Sequence, residues 1–166
     1  MMFLPKTPMT ENEFISWCRQ CADRLHIDII IENTDCVYID EDPVQGYFMP
    51  PDSKDRGCIV VAKKYPKSHY IAILAHEFMH AIQWSQCNDR TYEKFVDDNY
   101  FVNEHKIEIE SLRLLRDAGL LTRSMVIQSK IYLMSMFLHH AQVYLDETDQ
   151  TVEQCMKMYT SPLYTV

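Results

Sequence analysis

Apolar residues change their period twice along this 166-residue chain, and that change dictates what it can fold into. Across 27–63 they come as four short runs, at 27–31, 37–39, 47–49 and 58–62, separated by the turn-rich stretches 33–35, 40–43 and 50–57. Runs of that length between turn-forming residues read as strands, so a small sheet of three or four strands is expected. On either side the apolar side chains recur every three or four positions, which is the period of a helix. Thr10 and Glu13 form a capping-box pattern ahead of Phe14, Trp17, Cys18, Cys21 and Leu25, predicting a first helix over 10–25. Ile71, Leu74, Ala75, Phe78 and Ile82 predict a second over 70–84. A third is expected over 104–118, stopped by Gly119, a fourth over 122–145 and a short one over 152–158. One helix, a small sheet and a helical half make an α+β plan rather than alternating βαβ units.

Length and composition fit one globular domain spanning 1–166: 47% of residues are hydrophobic, 24% are charged, and only three are glycine. A formal net charge of −8 disfavours a surface that must neutralise many phosphates, so no nucleic-acid partner is expected. No leader-like segment and no uninterrupted apolar run of roughly 18 residues is visible, so the chain reads as cytoplasmic and without a membrane partner. Its six cysteines then read as reduced thiols, and Cys18-x-x-Cys21, inside a helix and without a second such pair, as core rather than a structural zinc site.

The chemistry lies in the second helix, at His76-Glu77-Phe78-Met79-His80. Histidines four apart on a helix project from one face about one turn apart, within reach of one metal ion. Glu77, beside the first of them, can hold a water without being a ligand. With seven histidines in 166 residues, chance supplies this pattern on the order of 0.02 times, so context has to decide. The context is favourable, because Ile71, Leu74, Phe78 and Ile82 supply a buried opposite face. Catalytic zinc sites take three protein ligands and leave one position open, so a third ligand should come from a facing helix. Glu104 and Glu108 share a face of the third helix by the i, i+4 rule, while Glu110 points elsewhere. Leu112 and Leu115 continue the Glu108 face as apolar positions.

His76-Glu77-Phe78-Met79-His80 followed by Glu108-Ile109-Glu110-Ser111-Leu112-Arg113-Leu114-Leu115 resembles the zincin metallopeptidases of the gluzincin type, in particular the ImmA/IrrE-like group. The resemblance covers about residues 70–118. It implies Glu108 as the third zinc ligand, although Ser111 stands where the group prefers alanine, which keeps Glu104 as the alternative. It also implies a zincin-like fold whose last strand, here 58–63, runs along the cleft and holds an extended peptide by β-augmentation.

The resulting expectation is a Zn2+-dependent endopeptidase acting on a protein or peptide, with His76, His80 and Glu108 holding the metal and Glu77 as general base. An oxyanion donor should come from Tyr92, Tyr100, His105, Tyr132, His139, His140 or Tyr144, with His139 and His140 first, because the fourth helix should pack near the third. Asp97, Asp98, Asn103, Glu104 and Glu110 are candidates for orienting the zinc histidines. Two other readings compete. One is a catalytically weak zinc-binding pseudo-protease serving as a regulatory module for a protein partner. The other is a DNA-associated protease resembling the SprT-like group, for which His105 would be the ligand.

Overall fold

The computed structural model describes residues 8–64, 67–87 and 89–147, and leaves aside the side chains of 67, 68, 89–101, 140, 141 and 143–147. The chain order is α1 (Glu11–Asp23), β1 (Ile27–Glu32), β2 (Val37–Ile39), β3 (Asp42–Val44), β4 (Gly46–Met49), β5 (Gly57–Ala62), α2 (Lys67–Gln86), α3 (Asp89–Asp117) and α4 (Arg123–Glu147). This is the expected α+β layout. The capping box at the start of α1 forms as its sequence predicts: the Glu13 amide donates to Thr10 Oγ1 at 3.3 Å, and the Thr10 amide donates to Glu13 Oε2 at 2.7 Å. Gly119 follows α3 with φ 71°, the left-handed conformation that a helix-ending glycine takes at little cost.

Two elements depart from expectation. Residues 40–43, read as a break, include the first half of β3, which pairs antiparallel with β2 around Asp40 at φ 54°. Aspartate tolerates that conformation better than most residues. The third helix begins at Asp89 rather than near 104. No glycine or proline interrupts 89–118, so a helix nucleated by packing at its C-terminal half can propagate backwards through a stretch whose apolar period is irregular. The short helix expected over 152–158 lies outside the described residues. Among the described residues, no helix is long and apolar enough to cross a membrane.

The main sheet has the order β1-β5-β4, with β1 parallel and β4 antiparallel to β5. One face carries α1 and α2: Phe14, Cys18 and Ala22 pack with Ile27, Ile59, Val61, Leu74 and Phe78 in one core. The other face is covered by the β2–β3 hairpin, where Val37 meets Val60 and Ala62. Strand β5, Gly-Cys-Ile-Val-Val-Ala, is thus enclosed on both faces and paired on both sides, as a continuous apolar run requires.

That enclosure corrects the cleft strand. Residues 58–63 form the middle of the sheet and have no free edge, whereas β4 is an edge strand. Gly46, at the start of β4, faces α2. A Cβ added there would lie 2.5 Å from Ile73 Cγ2, 3.1 Å from the Val60 carbonyl oxygen and 3.3 Å from Glu77 Cγ. The missing side chain is what lets this strand approach the helix that carries the motif.

Candidate metal centre

Helix α2 turns Tyr70, Ile71, Leu74, Ala75, Phe78 and Ala81 into the core. The residues between them on the helical wheel, His76 and His80, therefore face α3. Their rings meet edge to face with centroids 4.9 Å apart, and the two Nε2 atoms lie 3.1 Å from each other. From α3, Glu104 places Oε2 3.2 Å from His76 Nε2 and Oε1 3.2 Å from His80 Nε2. His76 and Glu104 are almost completely buried, at 9% and 5% exposure.

These spacings fit a metal. Donor atoms about 2.0–2.1 Å from a tetrahedral ion lie about 3.3 Å from one another, close to the 3.1 Å between the two Nε2 atoms and to the 3.2 Å at which each of them meets a different oxygen of Glu104. His76, His80 and Glu104 form a group that can hold a metal ion. Were a tetrahedral ion held there, two imidazoles and one carboxylate would leave one position for water or substrate.

Glu108, one turn further along α3, is placed differently. Its Oε2 lies 2.6 Å from His76 Nδ1, on the opposite edge of the ring from Nε2. With the proton on Nδ1, His76 donates to Glu108 and leaves the Nε2 lone pair facing His80 and Glu104. The structure thus brings both candidate glutamates to His76, with Glu104 on Nε2, the nitrogen that faces His80, and Glu108 on Nδ1. Glu77 is half-buried beside them, close to Gly46 of β4.

The electrostatics follow from crowding without a metal. Burial disfavours the charged form of His76, but the hydrogen bonds it donates to Glu104 and Glu108 outweigh it and raise its pKa to about 10. Burial acts upward on Glu104 too, yet its contacts with His76 and His80 hold the carboxyl well below the usual range. Burial pushes Glu77 upward, opposed by the same two histidines. In the metal-free chain an imidazolium therefore supplies the positive charge that these carboxylates need.

The other candidates are dispersed. Asn103 is wholly buried, but its Oδ1 accepts from Gln83 Nε2, so it joins α3 to α2 beyond the histidines rather than orienting them. Glu110 pairs with Arg113 at 2.5 Å on a more exposed face. His105 is buried, and burial lowers its pKa; as the neighbour of Glu104 it projects about 100° away around the helix. His139 is exposed. Tyr92, Tyr100, Tyr144, His140, Asp97 and Asp98 fall where the side chains are not described. Cys18 is buried in α1, and Cys18 and Cys21 are free thiols outside the metal-ligating group.

From α4 it is Tyr132 that reaches the centre. Its hydroxyl donates to Glu104 Oε2 at 2.9 Å, and its ring stands edge-on to His76 at 5.7 Å between centroids. It was one of seven aromatic and histidine candidates, and only the docking of α4 separates it from the rest. Gly46 carried no motif; its signal was scarcity, as one of three glycines in the chain. No family model, curated protein or solved structure matches this chain.

Proposed function

We propose that the protein is a zinc-dependent metallopeptidase in which His76, His80 and Glu104 hold the metal and Glu77 is the general base. The observation that carries this reading is the near-tetrahedral spacing of the two Nε2 atoms and the Glu104 carboxylate, with Glu77 beside them. Imidazole and carboxylate donors in a three-ligand set suit zinc. A zinc ion there supplies Lewis acidity, which acidifies water towards neutrality and polarises a carbonyl.

The remaining work falls to the chain's own residues. Glu77 takes a proton from the attacking water and returns it to the departing amine, two tasks that suit a carboxyl raised by burial. Glu108 fixes the tautomer and the ring plane of His76 through Nδ1. The edge of β4 begins beside Glu77, and an extended peptide added to that edge would be bound through its backbone and brought past the general base. This edge takes the place that the resemblance gave to 58–63. A cytoplasmic location belongs to the same reading, since Cys18 serves as a small core residue rather than a bridge.

The test is elemental analysis of tag-free protein together with hydrolysis of a quenched fluorescent peptide library. One zinc per chain and zinc-dependent cleavage that Glu77→Gln removes would support the reading. Protein that takes up no zinc, or whose cleavage survives Glu77→Gln, would overturn it.

A further inference from the structure

We propose that Tyr132 is a positioning residue of the metal centre, holding Glu104 by one oxygen so that the carboxylate meets the ion through the other. The inference rests on the metal-binding reading above and adds a residue that no part of the His-Glu-x-x-His pattern indicates.

A carboxylate can bind a cation through one oxygen or both. Binding through both would crowd the position that hydrolysis needs for water. The two oxygens of Glu104 are not equivalent. Each lies 3.2 Å from a histidine nitrogen, Oε1 from His80 Nε2 and Oε2 from His76 Nε2, but only Oε2 also accepts the Tyr132 hydroxyl, at 2.9 Å. The donor is itself held. Tyr132 precedes the buried Leu133 on α4, and its ring stands at 88° to that of His76, so hydroxyl and imidazole are placed by one packing arrangement. Met125, nearer the start of α4, is buried in the main core and anchors the helix that carries the phenol. Glu104 is therefore gripped from a third helix, and its carboxylate plane is set before an ion arrives.

The experiment compares wild type with Tyr132→Phe, which removes one oxygen and keeps the ring. Zinc affinity is measured by competition with a chromophoric chelator, and the visible spectrum is recorded on the cobalt-loaded protein. We expect zinc affinity to fall roughly 10- to 100-fold. The intense cobalt bands of a four-coordinate site should weaken as Glu104 becomes free to bind through both oxygens, while unfolding of the metal-free protein stays close to wild type. A purely structural tyrosine would move the unfolding midpoint and leave the cobalt spectrum alone.

Wild-type affinity and spectrum in Tyr132→Phe would overturn the assignment while leaving the metal centre intact. A wild type that binds neither metal would overturn the metal reading and this inference with it. Should Tyr132→Phe fold poorly, Tyr132→Leu provides the second variant, because it removes the hydroxyl and leaves the Glu104 side chain itself unchanged. The same weakening of the cobalt bands is expected there, and an unchanged spectrum counts against the proposal.

Discussion

Glu108 Oε2 lies 2.6 Å from His76 Nδ1, while Glu104 Oε2 lies 3.2 Å from Nε2 of the same ring. Two carboxylates one helical turn apart thus address opposite nitrogens of one imidazole. If Glu104 is the ligand and Glu108 the orienting partner, their substitutions differ in kind. Glu104→Ala should abolish zinc uptake. Glu108→Ala should retain it with an affinity roughly 10- to 100-fold weaker. Chelator competition on both variants checks this, and the reverse ranking would assign Glu108 as the ligand.

Glu77 lies beside the histidines without being part of the metal-ligating group. Glu77→Gln should keep full zinc stoichiometry and lose peptide hydrolysis by roughly 100- to 10,000-fold. Loss of zinc in this variant would mean that Glu77 holds the metal rather than a proton.

Zinc uptake by the metal-free protein should release a proton and strengthen with pH. His76 titrates at about 10 in the folded, metal-free chain, so at neutral pH a metal must displace that proton. Affinity should rise about tenfold per pH unit and level off near 10. Stability of the metal-free protein should run the other way on the alkaline side. The raised pKa of His76 contributes stability that is complete below its ordinary value of 6.5 and is lost as pH rises through about 10. Glu104 is lowered, so its contribution is present above its ordinary value of 4.5 and is lost as pH falls towards its folded value. Both are in place between 4.5 and 6.5. Glu77 faces the same histidines and is itself shifted upward, so the titration is shared rather than that of His76 alone. Denaturant unfolding across pH with a chelator present measures it; a metal-free protein equally stable at pH 6 and 10 would contradict the assignment.

Gly46 should resist substitution for steric reasons. A Cβ there sits 2.5 Å from Ile73 Cγ2 and 3.1 Å from the Val60 carbonyl oxygen. The side chain can move, but the backbone oxygen cannot without disturbing the β4–β5 ladder. Gly46→Ala should destabilise by about 1–3 kcal/mol. Ile73→Ala in the same chain should restore part of that loss, since the two sites share one contact. Additive effects in the double variant would show that the ladder, not Ile73, sets the cost.

Much of the local structure was legible because its causes are local. The α1 capping box, the buried stripe of α2 and the stop at Gly119 each depend on residues within a few positions of one another. The same range exposed His76 and His80 as a pair, and Glu104 and Glu108 as residues sharing a face. The start of α3 was less legible, because its first half has no regular apolar stripe and is helical by continuation. On α4, Met125 is buried while Met134 is 64% exposed. α4 is apolar around much of its circumference, so periodicity did not say which side docks.

What the sequence by itself determined is the motif, its helix and the presence of an acidic face opposite it. What only the tertiary structure decided is which glutamate meets which nitrogen, which strand has a free edge, and that Tyr132 reaches Glu104. The reason is geometric. Periodicity fixes direction around a helix axis but not the height at which two helices dock, and Glu104 and Glu108 differ in height alone. The same holds for β4 and β5, whose order is set by pairing between strands distant in the chain, a relation that no local pattern encodes.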